Sequence, residues 1–214
     1  MKTQLAASST LSLLSIFLPL HAAETTLVSD SPASNASALV PTAGNGGNGL
    51  STAEWTNVAS PPNAASWISG TTGVGYETSP SSGTSYSALL GLDLRAQMQN
   101  RSTTAYIRVP FTVDAPTLAS TRGLFLDMKY DDGFIAYLNG VRVTAANAPA
   151  QPGPSSAASS NNSDSRALQF EQFDLSSFLP VLNPGANMLA IHGLNDGTGS
   201  SDFLIVPRLI ASDA

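Results

Sequence analysis

The chain has 214 residues, a formal net charge of −6 and a charged fraction of only 11%. An acidic surface repels phosphate backbones, which argues against nucleic acid as a partner. The sequence contains no cysteine, which excludes a disulfide framework, a thiolate metal site and a lipidated cysteine anchor.

Residues 1–23 have the order of a secretory signal peptide. Lys2 is followed by the apolar run 11–20 and then by small residues ending at Ala23. The run is too short for a bilayer span, which needs about twenty apolar residues, and no second apolar segment follows it. We therefore expect cleavage on export, a secreted product that is extracellular or periplasmic, no membrane span, and a single domain over residues 24–214.

Residues 24–75 are rich in Ser, Asn, Ala, Pro and Gly and contain little periodic text. The Gly/Asn run at 44–49 indicates a loop. Weak strand candidates occupy residues 26–28, 55–58 and 66–68.

Two short helices are predicted from their capping residues. Asp93 can cap a helix over residues 94–98, and Asp174 can cap one over residues 175–179 that ends at Pro180. No longer helical pattern is evident, so the remaining periodic segments are predicted to be strands.

The clearest strand spans residues 106–113. Its alternation places apolar residues on one face and more polar residues on the other. The first face carries Ile107, Val109, Phe111 and Val113, and the second carries Tyr106, Arg108 and Thr112. Pro110 lacks the N–H that a central strand donates, which predicts an edge strand or a bulge at this point.

A three-strand meander is predicted next along the chain. Strands over residues 124–130, 134–138 and 141–143 are joined by the turns Asp131-Asp132-Gly133 and Asn139-Gly140. Asn-Gly between strand residues is a strong hairpin signal, because a type I′ turn needs positive φ at both central residues. In the first turn, aspartate favours local backbone hydrogen bonds and Gly133 is expected to supply positive φ.

Residues 144–166 are Ala, Pro, Ser and Asn with little to bury, which predicts a long, mobile surface loop. Further strands are predicted over residues 168–173, 187–194 and 202–209. Many short strands with one or two short helices indicate an all-β sandwich or barrel.

Four ordered segments of this sequence are similar to one known family. Residues 129–140, 173–176, 185–195 and 200–205 together resemble the galactose-binding-like modules of large bacterial exoproteins, which often sit beside lamin-tail-like or spore-coat-kinase-like domains. The resemblance covers nearly all of the chain after the signal segment. It implies a jelly-roll-like antiparallel β-sandwich, akin to the sugar-binding jelly roll of some glycoside hydrolases, and an accessory role without a defined site.

The inventory of catalytic side chains favours a protein that is not an enzyme. His21 leaves with the signal peptide, so His192 is the sole remaining imidazole, and a site with several histidines is excluded. His192 alternates with apolar residues in a predicted strand and is interpreted as a structural, hydrogen-bonded histidine. A glycosidase needs two carboxylates across a cleft, but turn chemistry already accounts for Asp131 and Asp132.

The candidate site lies among polar residues at or beside turns. The candidate ligand-binding residues are Tyr130, Asp131, Asp132, His192, Asn195 and Asp202. Calcium is the candidate cofactor, because Asp131, Asp132, Asp196 and Asp202 offer the hard oxygen ligands that it prefers. The alternative is a solvated cluster of acidic turn residues without a ligand.

These observations predict a non-catalytic extracellular binding or adhesion module that recognises a polysaccharide or a cell-surface glycan at its loop tips. A structural spacer module or a fragment of a larger exoprotein is the alternative. A glycoside hydrolase is the third hypothesis.

Overall fold

The structure, a computed structural model, describes residues 22–80 and 84–214. The predicted signal peptide at residues 1–23 therefore lies outside the described residues, apart from its last two positions. Within the described ranges, no helix has the length and apolar character needed to cross a bilayer.

Twelve strands form the body of the described chain. In chain order they are β1 (Glu24–Val28), β2 (Asn35–Leu39), β3 (Ile68–Thr71), β4 (Val74–Glu77), β5 (Leu92–Asp93), β6 (Thr104–Val113), β7 (Gly123–Asp131), β8 (Gly133–Leu138), β9 (Val141–Ala146), β10 (Glu171–Asp174), β11 (Gly185–Leu194) and β12 (Asp202–Ser212). The α-helices are short: α1 (Thr52–Thr56), α2 (Arg95–Met98), α3 (Ala115–Ser120) and α4 (Asp164–Ala167). Single 3₁₀ turns occupy Gly47–Gly49, Ala64–Ser66 and Ser87–Leu89, and a longer 3₁₀ helix spans Ser176–Val181.

The strands pair into two sheets of six strands each. Sheet A has the order β10-β7-β12-β4-β5, with β1 also paired to β12, and sheet B has the order β3-β2-β6-β11-β8-β9. All pairs are antiparallel except β4 with β5. The predicted all-β antiparallel sandwich is confirmed.

The core lies between the two sheets. Alternation along β6 turns Ile107 and Val109 inward, where they join Leu126 and Met128 of β7 and Phe203 of β12 in one buried cluster. The opposite face of β6 contributes to a second, outer cluster on sheet B. The two faces predicted for residues 106–113 are confirmed, because Ile107, Val109, Phe111 and Val113 belong to the core cluster, whereas Tyr106 belongs to the outer cluster and Thr112 is exposed.

Both predicted helices form close to their expected positions. The Asp93 carboxylate accepts a hydrogen bond from the Arg95 N–H at 2.7 Å, and α2 follows it. The Asp174 carboxylate accepts one from the Ser176 N–H at 2.8 Å and precedes the 3₁₀ helix Ser176–Val181. Pro180 lies inside that helix instead of ending it.

The strand predicted over residues 55–58 is wrong, because α1 occupies this part of the chain. The Glu54 carboxylate accepts a hydrogen bond from the Ser51 N–H at 2.7 Å, which satisfies a free donor at the start of the helix. The helix places Trp55 on the outer face of sheet B, where its ring stacks on that of Tyr106 at 4.3 Å. This capping and stacking outweigh the weak strand preference of the segment.

The predicted meander is only partly correct. The hairpin of β8 and β9 is confirmed, with positive φ at Asn139 (48°) and Gly140 (89°). However, β7 belongs to sheet A and β8 to sheet B, so residues 131–133 are a corner between sheets, with a cis peptide bond between Asp131 and Asp132.

Gly133 has a different role from the one predicted. It does not have positive φ; instead, a Cβ atom there would lie 2.6 Å from the Asn147 carbonyl oxygen. A side chain at this position would therefore collide with the chain that leaves β9. Close approach of two backbones, and not turn geometry, requires glycine at the corner.

The predicted edge position of residues 106–113 is also wrong. Strand β6 lies inside sheet B, between β2 and β11. Pro110 is tolerated because the ladder with β2 reaches only to Arg108, so the missing N–H lies beyond the end of that ladder. Pro110 still pairs with Met188 on the β11 side.

The segment predicted as a mobile surface loop at residues 144–166 is tied to the body of the protein. Its first residues belong to β9 and its last to α4. Between them, the Ala158 N–H donates to the Asn195 carbonyl at 2.9 Å, and the Thr103 hydroxyl donates to the Ser156 carbonyl at 2.8 Å. The segment therefore packs against one end of the sandwich and helps to shape it.

Candidate functional site

Five of the predicted site residues meet at one end of the sandwich, which we call the loop end. Strand pairing brings the end of β7 beside the start of β12, and the start of β8 beside the end of β11. The residues gathered here are Asp131, Asp132, Asn195, Asp196 and Asp202. The topology therefore brings these five residues together in space.

The Asp132 carboxylate links two loops at this end. Its side chain is 1% exposed. Oδ1 accepts hydrogen bonds from the Asn161 amide and the Asn162 N–H, both at 3.0 Å, and Oδ2 accepts one from the Asp196 N–H at 2.8 Å. Because both oxygens accept hydrogen bonds from protein donors, this side chain has a structural role and connects the two loops.

Asp131 is buried beside it and is protonated more readily than an ordinary aspartate. Its Oδ2 accepts a hydrogen bond from the Tyr86 hydroxyl at 2.5 Å. Burial is the main cause that raises the pKa of Asp131, and the neighbouring charge of Asp132 raises it further. Burial also raises the pKa of Asp132, although the N–H donors from Asn162 and Asp196 oppose this. A neutral acid beside an ionised one is the natural state of such a pair.

Asn195 and Asp202 complete the buried group, which we call the acidic network (Asp131, Asp132, Asn195 and Asp202). The Asn195 amide donates to the Tyr76 hydroxyl at 3.2 Å and to the Asp202 carbonyl at 2.9 Å. Each oxygen of the Asp202 carboxylate accepts a serine hydroxyl at 3.1 Å. No member is more than 9% exposed, so the interpretation as solvated turn residues is wrong for Asp131, Asp132 and Asp202, although Asp196 is exposed.

Tyr130 lies under the surface near the same end. Its side chain is buried, its ring packs edge-on against Phe134 with ring centres 5.0 Å apart, and its hydroxyl donates to the Glu171 carboxylate at 2.8 Å. Burial raises the pKa of Tyr130 to about 12. In this arrangement the ring does not present a free face to a sugar, and its predicted role in ligand binding stays a prediction.

His192 lies apart from the acidic network, on the outer face of sheet B. Its ring is 3% exposed, packs edge-on against Tyr106 at 5.0 Å and shares a hydrogen bond of 3.3 Å with the Thr104 hydroxyl. Burial lowers the pKa of His192 to about 4, so the imidazole is neutral near pH 7. The geometry fits the structural histidine expected from the strand pattern.

The predicted calcium site has no preformed geometry in the described residues. Within residues 22–80 and 84–214, no three carboxylate or imidazole side chains are grouped so that they could hold a metal ion. The oxygens of Asp132 and Asp202 already accept hydrogen bonds from protein donors. Calcium binding by Asp131, Asp132, Asp196 and Asp202 therefore stays a prediction.

An open cleft of about 570 Å³ lies at the loop end. We call it the loop-end cleft. Four segments form its walls: the chain after β2, α2 with the turn that follows, residues 154–155 and the loop after β11. Its polar lining includes Thr42, Asn48, Gln97, Arg101, Ser155 and Thr198.

Backbone contacts hold the cleft walls in place. The Asn45 carboxamide oxygen accepts hydrogen bonds from the N–H groups of Thr42 and Gly47, both at 2.9 Å. The Asn100 N–H donates to the Thr198 carbonyl at 2.7 Å. These bonds fix the backbone, while the side chains of the lining residues Asn48 and Gln97 have no hydrogen-bond partner in the described residues. The cleft is thus a preorganised surface of mixed polar and apolar groups.

Sequence reasoning did not identify this cleft. It recognised the Gly/Asn loop at residues 44–49 and the helix after Asp93, but it treated them as separate features. The contributing segments are far apart in the chain, and no local pattern marks their convergence. The useful signal was only general, namely that loops on a rigid sandwich carry function.

No family model matches the sequence, and no curated protein matches it. The chain is similar in structure to a β-glucuronidase from Ruminococcus gnavus, with 11% identity, a TM-score of 0.48 and coverage of 92% of this chain and 30% of that one. It is also similar to a glycosyl hydrolase family 2 member from Bacteroides cellulosilyticus, with 10% identity, a TM-score of 0.46 and coverage of 88% of this chain and 20% of that one. A third similar structure is a β-D-mannosidase from Dictyoglomus thermophilum, with 17% identity, a TM-score of 0.31 and coverage of 47% of this chain and 10% of that one. The chain spans less than a third of the length of each of these proteins.

Proposed function

We propose that this protein is a non-catalytic carbohydrate-binding module that holds a glycan in the loop-end cleft. The observation that carries the proposal is the chemistry of the cleft lining, which consists of amide, hydroxyl, guanidinium and small apolar groups. Amide and hydroxyl groups exchange hydrogen bonds with sugar hydroxyls, and they do so without performing acid or base chemistry. The sequence resemblance to galactose-binding-like modules supports the same function.

The size and rigidity of the cleft support this function. Its volume of about 570 Å³ lies within the range of about 300–1,000 Å³ that is usual for small-ligand sites. Its walls are held by backbone hydrogen bonds, so a ligand does not have to order them on binding.

The placement of the acids argues against a hydrolase. Glycoside hydrolysis needs two carboxyl groups that flank the scissile bond, but the described lining of the cleft contains no aspartate, glutamate or histidine. Asp131 and Asp132 lie nearby, yet they are at most 2% exposed and bonded to protein donors. His192 is neutral and buried on another face. These acids therefore support the loops, and the cleft lining favours binding over hydrolysis.

We expect the affinity to be modest. The described lining of the cleft contains no aromatic ring, so a sugar would be held by hydrogen bonds without the stacking platform that Tyr130 was predicted to supply. A polar, open site of this kind gives dissociation constants of roughly micromolar to millimolar.

Export is part of the same proposal and rests on the signal-like residues 1–23. The test is the intact mass of protein recovered outside the cytoplasm, which should correspond to a chain beginning near Glu24. An uncleaved chain in the membrane fraction would contradict it.

The binding proposal is tested on the exported protein with a glycan array, followed by calorimetry on the glycans that bind. Gln97→Ala should weaken binding about fivefold, the effect of losing one hydrogen bond of about 1 kcal/mol. Gln169→Ala is the matched control, because Gln169 is also exposed but lies outside the cleft lining. A blank array with folded protein would favour the structural spacer, and turnover of a glycoside panel would favour the hydrolase.

A further inference from the structure

Among the described residues that line the loop-end cleft, Arg101 is the charged one. It follows α2 and its side chain is exposed. Within the described residues the ion pairs join Arg166 to Glu171 and Arg208 to Asp127, and none of the described hydrogen bonds involves the Arg101 guanidinium. The guanidinium, with its five N–H donors, therefore lines the cleft and an adjoining surface shared with Asp93 and Arg95, and it has no protein acceptor among the described residues.

The acids around the cleft do not neutralise this charge. Asp131, Asp132 and Asp202 are buried, and their oxygens accept hydrogen bonds from tyrosine, amide and serine donors. The Asp93 carboxylate caps α2 through the Arg95 N–H at 2.7 Å. The exposed Asp196 belongs to the same loop as Thr198, but it is not among the lining residues.

A guanidinium in such a position is suited to an acidic group on a sugar. Its planar fork can donate two parallel hydrogen bonds to a carboxylate or to a sulfate, and such charge-assisted bonds are stronger than bonds between neutral groups. Gln97, Ser155 and Thr198 line the same cleft and can hydrogen-bond the hydroxyls of the same or the next sugar.

We infer that the loop-end cleft selects anionic polysaccharides, with Arg101 pairing with the carboxylate or sulfate of a sugar unit. This inference rests on the proposed function and names its ligand class. The overall charge supports the test of this inference, because a chain with a net charge of −6 repels a polyanion overall and binding one requires a locally exposed cation such as Arg101. Binding of an anionic polymer would thus report a specific contact and not general charge attraction.

The test uses affinity electrophoresis and calorimetry with three polymers: polygalacturonate, which carries carboxylates, dextran sulfate, and neutral dextran. The wild-type protein should prefer at least one anionic polymer to dextran. Arg101→Gln should weaken that binding about tenfold or more, as expected for the loss of a charge-assisted hydrogen bond. Preference for polygalacturonate would identify a carboxylated ligand, and preference for dextran sulfate a sulfated one.

Arg142→Gln is the matched control. Arg142 is exposed and lies next to the Asn139-Gly140 turn of the β8–β9 hairpin, at the end of the sandwich opposite the cleft, and its replacement removes the same charge. It should leave binding unchanged. Equal losses for both variants would show an effect of net charge and overturn the inference.

The two proposals fail in different ways. In the first case, neutral glycans bind, Gln97→Ala weakens their binding, and the anionic polymers bind no more tightly than dextran. The inferred ligand class is then wrong, but the carbohydrate-binding function stands. If folded protein binds no glycan of either kind, the proposed function fails and the inference falls with it. Thermal melts of both arginine variants confirm that each is folded.

Discussion

The Asp132 carboxylate lies 2.8 Å from the backbone nitrogen of Asp196. This hydrogen bond joins the corner between the two sheets to the loop after β11, which carries Thr198 into the cleft. The other carboxylate oxygen accepts hydrogen bonds from Asn161 and Asn162, both at 3.0 Å. One buried side chain thus holds together two loops that shape the proposed binding surface.

Asp132→Ala should destabilise the protein strongly. The change removes an acceptor of three hydrogen bonds, but the Asp196 N–H keeps the Asn195 carboxamide oxygen at 2.9 Å and the Asn161 amide is exposed. The buried N–H of Asn162 is therefore the donor left without an acceptor. A buried unsatisfied donor costs roughly 1–3 kcal/mol, so we expect the free energy of unfolding in urea to fall by about that amount. The cleft should lose its shape together with the loops.

Asp196→Ala is the control for this prediction. The Asp196 side chain is exposed, and the backbone N–H that binds Asp132 is retained in the variant. An exposed substitution of this kind changes the free energy of unfolding by about 0.5 kcal/mol or less. Similar losses in the two variants would mean that the hydrogen bonds of Asp132 do not stabilise the fold.

Because His192 is buried, we expect the folded protein to lose stability in mild acid. Burial lowers its pKa from the ordinary value of 6.5 to about 4, so the unfolded chain takes up a proton at a pH at which the native imidazole stays neutral. This contribution to stability is complete above about pH 6.5 and is lost as the pH falls towards 4, by up to roughly 3 kcal/mol. Urea unfolding at several pH values in this window measures it.

His192→Gln isolates this effect from the carboxyl groups. Burial raises the pKa of Asp131 and of Asp202, and such groups stabilise the native state as the pH falls, the opposite sign. Their contribution is common to both proteins and cancels in the difference. The variant should therefore lose less stability than the wild type between pH 6.5 and 4. Parallel pH profiles would mean that the imidazole is hydrated in the native state.

Calcium binding by the aspartates at the loop end has a separate test. An ion held only by the native state raises the melting temperature by mass action. The prediction is a higher melting temperature in excess calcium chloride than in excess EDTA, with the difference removed by Asp196→Asn. This variant is preferable to changes at Asp131 or Asp132, which would also break buried hydrogen bonds. Identical melts in both solutions would refute the prediction.

Local sequence patterns predicted the strands better than their partners. The alternation in residues 106–113 correctly assigned both faces of β6, and Asn139-Gly140 correctly placed a hairpin turn. The sequence of residues 124–138 indicates a reversal after Asp131, but a turn signal does not specify which sheet the next strand joins. Strand β8 is buried along its whole length and pairs with β11 and β9 in sheet B.

The candidate site residues show the same limit of local patterns, which do not specify contacts between distant segments. Turn statistics assign Asp131 and Asp132 to a solvated surface, because aspartate is common in exposed turns. Their burial depends on donors from Tyr86, Asn162 and Asp196, which are distant in the chain and carry no recognisable pattern. The cleft was missed for the same reason. Convergence of loops is a property of the topology, which local periodicity does not encode.

Gly140→Val should destabilise the fold by about 1–3 kcal/mol, the cost of forcing a non-glycine residue into an unfavourable backbone region. Gly140 has a φ of 89°, which a β-branched residue strongly disfavours. Space is not the limiting factor, since the nearest atom to an added Cβ is the Thr56 hydroxyl oxygen at 3.7 Å. The effect would therefore report backbone strain in the β8–β9 hairpin turn.

Gly153→Val is the matched control, because Gly153 also has room for a side chain, with no atom within 4 Å of an added Cβ, but lacks positive φ. Its melting temperature should stay close to that of the wild type. Gly140→Asn should lie between the two valine variants, because asparagine tolerates the left-handed region better than valine does. Equal melting temperatures for Gly140→Val and Gly153→Val would contradict the type I′ turn, since the two substitutions differ mainly in the backbone conformation that they must adopt.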